Sequence, residues 1–309
     1  NSKEGFHTLK YELNASVSSN LFLTAGMEGR LRWYDFLEQN YFPDQYDGDV
    51  WSLKENGSAF QTMAYTNLNW DVSTNVAANL GFAAQYLETG KHGTFEPRIG
   101  IKWQFASSHA LNAGFGVHAQ SLPLALYFTQ EGNEALEFMQ STHYVLGYTW
   151  QTGIGALIKA EGYYKDICNA PVEKNDGSAW SFLNTGADFG TVGGKGRYLV
   201  SEGLGKAYGA EFSFMKHFSN HYYILATASY IRQFYKASDG IWRSGAFDNL
   251  YVFNILGGYE WVLSPSFTME FSFRYTLAGG RPYQPIDIER SRQLSRTYID
   301  DGTGFHERA

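Results

Sequence analysis

The sequence predicts an all-β chain: an antiparallel up-and-down transmembrane β-barrel contributing about twelve strands. Three observations predict it. Apolar and polar residues alternate with a period of two, the alternating segments are long, and the connections between them are by turns tight and extended.

The alternation is plainest in 95–106. Phe95, Pro97, Ile99, Ile101, Trp103 and Phe105 share one face, while Glu96, Arg98, Gly100, Lys102 and Gln104 share the other. It recurs as Leu9, Tyr11, Leu13, Ala15 and Val17 against Lys10, Glu12, Asn14 and Ser16, and as Phe267, Met269, Phe271, Phe273 and Tyr275 against Thr268, Glu270, Ser272 and Arg274. Successive side chains on a strand point to opposite faces, so each run is an amphipathic strand. In chain order the predicted strands are 7–18, 21–40, 58–72, 76–89, 95–106, 110–121, 141–151, 155–168, 203–219, 221–238, 249–264 and 267–280. The pattern blurs in 221–238, where both faces mix apolar and polar residues.

Strand length argues for a membrane. Strands in soluble sheets average about 5–6 residues. Twelve residues at ~3.3 Å each, tilted ~45°, span about 28 Å, close to the apolar band of an outer-membrane barrel. A soluble β-sandwich also alternates, so alternation alone does not separate the two.

The connections divide by end. Ser18-Ser19-Asn20, Ser73-Thr74-Asn75, Ser107-Ser108-His109, Thr152-Gly153, Ser219-Asn220 and Ser264-Pro265-Ser266 are tight turns. Between them fall 41–57, 90–94, 122–140, 169–202, 239–248 and 281 onward, of which only 90–94 is brief. Every second connection of an up-and-down sheet lies at the same end. One end is therefore trimmed and the other carries loops, as in outer-membrane barrels.

The chain has 309 residues and is 17% aromatic, and its rings sort with depth. Trp70, Trp103, Phe105, Trp150, Phe218, Tyr222, Trp261 and Phe267 lie beside the tight turns, and Trp33, Tyr86, Phe95, Tyr144, Tyr164, Tyr208, Tyr251 and Tyr275 lie at the loop ends. These are two girdles at opposite interfaces, with Leu13, Ala15, Ile101, Ala113 and Ile255 between them. A sandwich core has no reason to sort in this way.

The opposite face carries Glu12, Glu28, Arg30, Arg98, Lys102, Lys159, Glu161, Glu211, Glu260, Glu270 and Arg274, expected to line a wet lumen and to pair across strands. The net charge of −7 argues against nucleic acid as a partner, since phosphate binding needs a Lys/Arg surplus. Lone Cys168 forms no internal disulfide, and no window approaches 18 apolar residues, so a membrane-spanning helix is not expected.

The sequence offers little for catalysis, cofactors or metals. No G-x-S-x-G occurs, and the eight His residues form neither H-x-H nor H-E-x-x-H. His118 and His143 fall on the lumen face and read as hydrogen-bonded structural residues. Gly193-Gly194-Lys195-Gly196 lacks phosphate-loop spacing and reads as flexible loop. Asp44, Asp47 and Asp49 offer carboxylates for Ca²⁺, but no full ligand set is present, and a solvated acidic loop accounts for them better. The expectation is a protein without enzymatic activity or cofactor. Ligand-facing candidates are the lumen residues Arg30, Arg98 and Arg274 and the loop aromatics Trp51, Trp180 and Trp242, Phe42 being a further loop aromatic.

Several segments resemble TonB-dependent receptors, particularly the Bacteroidetes type. They are Glu96-Pro97-Arg98-Ile99-Gly100-Ile101-Lys102-Trp103, Ala160-Glu161-Gly162-Tyr163-Tyr164-Lys165-Asp166-Ile167, Asn184-Thr185-Gly186, Lys206-Ala207-Tyr208-Gly209-Ala210-Glu211, and Gly279-Gly280-Arg281-Pro282-Tyr283-Gln284-Pro285-Ile286-Asp287. They occur in the order the family shows and cover nearly the whole chain. The resemblance implies a 22-stranded outer-membrane barrel around an N-terminal plug, which captures a small nutrient with its extracellular loops and imports it with energy from the TonB complex. On that pattern 1–309 is expected to be a partial barrel domain, with the plug, the first strands and the closing strands outside it. The expected partners are the lipid bilayer, the TonB complex reached through the plug, and a small nutrient. The rival expectations are a self-contained 12-stranded pore or lipid-modifying barrel enzyme, and a soluble β-rich binding protein.

Overall fold

The structure is a computed structural model describing residues 2–41, 50–175, 177–185, 197–283, 286–295, 297–298 and 307–308, with side chains described for all of these except 39–41, 50–51 and 307–308. In chain order the strands are β1 (Lys3–Ser18), β2 (Leu21–Tyr41), β3 (Val50–Ser73), β4 (Val76–Leu87), β5 (His92–Ala106), β6 (His109–Gln120), β7 (Met139–Gln151), β8 (Ala156–Glu173), β9 (Leu199–Ser219), β10 (Tyr222–Lys236), the short β11 (Trp242–Ser244), β12 (Leu250–Ser264) and β13 (Phe267–Ala278). They form one antiparallel sheet in which each long strand pairs with its chain neighbours, while β11 adds only to β10. All twelve predicted segments are strands of this sheet.

Two loop predictions are corrected. Residues 41–57 and 169–202 were expected as loops, but β2 and β3 stay paired up to Tyr41 opposite Val50, and β8 and β9 stay paired to Glu173 opposite Leu199. The β3 strand alone has 24 residues, about 80 Å along the chain. Above the apolar band neither face meets lipid. The alternation that marks a strand in sequence is therefore not needed there, and pairing continues without it. Asp44, Asp47, Asp49, Phe42 and Gly193-Gly194-Lys195-Gly196 lie outside the described residues.

Register carries the two faces across the sheet. Leu31 faces Phe60, Ile99 faces Phe115, Phe115 faces Tyr144, Tyr144 faces Tyr164, Tyr164 faces Tyr208, and Ile255 faces Tyr275. All lie on the outer face, where Leu9, Leu146 and Phe271 are 81%, 61% and 59% exposed. Among the described residues no second sheet seals them, which argues against the sandwich reading. Rings cross five strands without a break toward the loop end: Phe115–Tyr144, Tyr144–Tyr164, Tyr164–Tyr208 and Tyr208–Phe234 stand 5.4, 6.4, 6.5 and 6.1 Å apart. Near the turns Phe105, His109 and Trp150 form the matching cluster, at 5.8 and 5.7 Å.

On the lumen face, tyrosines lie over glycines of the next strand. Tyr163 faces Gly209, where a Cβ would stand 2.6 Å from its hydroxyl, and Tyr65 faces Gly26 in the same way. The ring covers backbone that the glycine leaves bare, and it fixes the register. The tight turns hold the other end; at Asn220-His221 both residues take positive φ, as a two-residue turn of this hand requires.

The sheet is a path rather than a ring, with β1 and β13 at its two ends. Among the described residues β1 and β13 do not pair, so the sheet does not close on itself as a self-contained twelve-stranded barrel.

Candidate functional site

At the loop end, the lumen side is built from two parts, a polar wall and a folded cap. The wall centres on Glu96, which β5 turns inward because Phe95 and Pro97 take the outer face. Glu96 is 2% exposed, and its carboxylate accepts from Gln85 Nε2 at 2.6 Å, Thr94 Oγ1 at 3.1 Å and Arg98 at 2.9 Å. A buried carboxylate is tolerated only with such a set of donors. The bond holds Arg98 in place, with its side chain 43% exposed toward the lumen. Gln85 also donates to the Ala119 carbonyl at 3.2 Å, tying β4 to β6.

Beside Arg98 stand His118 and His143, ring centroids 4.5 Å apart. His143 Nε2 lies 2.8 Å from Ser141 Oγ, and Lys165 is its register partner on β8. This stretch of wall is cationic, apart from the buried Glu96. Farther around, Arg30 pairs with Glu28 at 2.8 Å and lies over Phe6 at 5.1 Å, while Arg32 binds Glu4 across the β1–β2 ladder. Arg32–Glu4 is a pair across strands, as the lumen charges were expected to allow, whereas Lys10–Glu12, Arg30–Glu28 and Arg98–Glu96 run along one strand at i, i+2. Cross-strand neighbours include the like-charged Glu161 and Glu211, and Glu260 and Glu270.

The cap is the connection between β6 and β7. Two 3-10 turns, Leu124–Phe128 and Asn133–Ala135, fold it inward rather than outward into solvent. Leu122, Leu124, Leu126, Tyr127, Leu136 and Phe138 bury against Phe36 and Leu53 of the long β2–β3 hairpin, Leu87 of β4 and Leu199 of β9. Burial pushes the Tyr127 hydroxyl up to about 12. The β8–β9 connection closes beside it: Arg197 binds Glu173 at 2.6 Å and lies 5.5 Å over Trp180, which packs on the same apolar cluster. Ser178 also donates to Glu173 at 2.7 Å, and the Ala246 amide donates to Asn184 Oδ1 at 3.0 Å, joining this connection to the one after β10. At the upper edge, Arg243 pairs with Asp239 at 2.6 Å.

The six predicted ligand-facing residues are therefore spread out. Arg30, Arg98 and Arg274 line the lumen on β2, β5 and β13. Trp180 is half-buried in the cap, and Trp242, paired through its backbone with Lys236, stands on the outer face above the ring row. The side chain of Trp51 lies outside the described residues. Among the described residues the candidates share no hydrogen bond, ion pair or ring contact with one another. Sequence reading missed Glu96 as the anchor of Arg98, along with Asn133, Glu173 and Arg197. The Glu96-Pro97-Arg98 run was a usable signal, since its two charges must share the lumen face.

Among solved structures the chain is similar to the FrpB iron transporter of Neisseria meningitidis (F3-3 variant), at 13% identity and a TM-score of 0.63, covering 88% of this chain and 42% of that one. It is similar to a variant of the ferric enterobactin receptor PfeA of Pseudomonas aeruginosa (13%, 0.64, 91% and 42%). The siderophore receptor PirA of the same organism matches at 13% and 0.60, over 90% and 48%. The chain thus spans less than half the length of each of these structures, and at such identities the likeness speaks for the fold alone. No curated protein matches the chain. The family model for the TonB dependent receptor-like β-barrel matches residues 2–303, so the chain belongs to the TonB-dependent receptor β-barrel family of the bacterial outer membrane.

Proposed function

We propose that this chain is the barrel portion of an outer-membrane importer, in which the capped loop end captures a small nutrient and the cationic lumen wall receives it. The reading rests on one arrangement, a folded cap directly above a wall whose Arg98 is held toward the lumen by a buried carboxylate. In the complete receptor, further strands pair with β1 and β13, since unpaired strand edges in hydrocarbon cost several kcal/mol per unsatisfied group. A plug fills the lumen and couples to the TonB complex.

An iron transporter and siderophore receptors among the similar structures, together with Arg98, Lys165 and Arg30 on the wall, favour an anionic metal chelate as the nutrient. Equilibrium binding of the full-length receptor to ferric chelates, cobalamin, oligosaccharides and peptides tests this. An anionic chelate binds best, and Arg98→Ala weakens it about tenfold, the worth of one charged hydrogen bond. Preference for a neutral glycan or peptide, indifferent to Arg98→Ala, overturns the chelate reading.

A further inference from the structure

We infer that the outer face of β9–β11, just beyond the ring row, binds the phosphate of an outer-leaflet lipid headgroup. Lys206 on β9 and Lys236 on β10 share the outer face with Phe234, and Phe234 is the register partner of Lys206. The short β11 adds Trp242 opposite Lys236. Both ammonium groups converge on that one indole, at 4.4 Å for Lys206 and 5.7 Å for Lys236, and Lys206 also lies 5.5 Å over Phe234.

Two like charges on one ring repel unless an anion joins them. Among the described residues neither lysine has a carboxylate within ion-pair distance. One carboxylate stands near, Asp166, the register partner of Lys206 on β8; it lies outside ion-pair distance, accepts from the Tyr164 hydroxyl at 2.9 Å, and its single charge leaves two ammonium groups in excess by one. Buried Asp248 is paired with Arg232 at 3.2 Å. The indole positions the two ammonium groups through cation–π attraction but neutralises neither.

Depth selects the occupant. Tyr208 and Phe234 belong to the ring row that marks the interface. Lys206 and Lys236 each lie two residues farther toward the loops on the same face, about 6–7 Å along the strand. That is headgroup level, where anionic lipid attracts basic side chains. The aromatic rings below suit the acyl side of the same molecule, so a lipid phosphate fits better than a free anion.

Native mass spectrometry of the full-length receptor in detergent tests this, with lipid A and its dephosphorylated form as probes. The intact receptor is expected to retain lipid A preferentially, and millimolar inorganic phosphate is expected not to displace it. Combining Lys206→Gln with Lys236→Gln should lower retention of lipid A about 30-fold and leave the dephosphorylated form unchanged. Equal retention of the two lipids by the intact receptor overturns the inference, and this comparison needs no variant. Unchanged lipid A retention in the folded double variant overturns it as well, and displacement by inorganic phosphate assigns the site to a free anion instead.

Discussion

Asn133 holds the first residue of β9: its Oδ1 accepts the Leu199 amide at 2.8 Å. The same buried side chain donates to Thr129 Oγ1 at 2.9 Å and to the Arg197 carbonyl at 3.1 Å. One residue thus fastens the β6–β7 cap to the start of β9, two strands on from β7. Asn133→Ala takes the acceptor from the buried Leu199 amide, which costs about 1–3 kcal/mol. The loss is expected to be local. Hydrogen exchange of 121–138 should accelerate while the barrel strands keep their protection; unchanged exchange in that segment would show that the cap stands without the clasp.

Tyr127 makes the same cap sensitive to alkali. Burial raises its hydroxyl from the ordinary 10.0 to about 12, so the folded cap favours the protonated phenol. The sign follows from linkage: this stabilisation is complete below about pH 10 and is lost as pH rises toward 12. Tyrosinate absorbance of the wild type minus that of Tyr127→Phe should isolate one group titrating near 12. A difference curve centred at 10 would place this ring in water.

The transmembrane part of the fold was legible because lipid writes itself into sequence. Residues such as Ile99, Ile101 and Trp103 must be apolar where they face acyl chains, and Arg98 and Lys102 must be polar between them. Above the membrane that constraint ends. The Lys54-Glu55-Asn56-Gly57 stretch pairs with Leu37, Phe36, Asp35 and Tyr34 yet shows no alternation, so this extension of β3 was invisible. The site was legible to a similar degree. Arg98 stood out as a lumen charge, whereas the role of Asn133 depends on Leu199, 66 residues away, and no local pattern encodes that contact.

Gly209 offers a test of the lumen wall. A Cβ there would meet the Tyr163 ring and, at the backbone, the Tyr230 carbonyl oxygen. The ring can swing aside, but the carbonyl belongs to the β9–β10 ladder and cannot move alone. Gly209→Val is therefore expected to destabilise the barrel by about 1–3 kcal/mol, the usual cost of overpacking. The corresponding Gly162→Val, where the nearest atom stands 4.0 Å off, should cost less. Urea unfolding of both variants in vesicles measures the difference. Equal destabilisation would mean that strand propensity, not the tyrosine cover, governs these positions.

Phe271 tests the outer face itself. It lies on β13 midway between Phe267 at the turn and Tyr275 at the loop end, more than half exposed, with Tyr259 as its register partner. If acyl chains cover this face, a guanidinium there sits near the bilayer midplane, and Phe271→Arg costs about 2–4 kcal/mol. Ser272→Arg, one residue along and on the lumen side, faces water and should be nearly neutral. The pair controls for β-propensity, because both place the same residue in the same strand. Reversible unfolding of the full-length receptor in vesicles reads both, and a lower cost at 271 than at 272 would invert the faces assigned to the whole sheet.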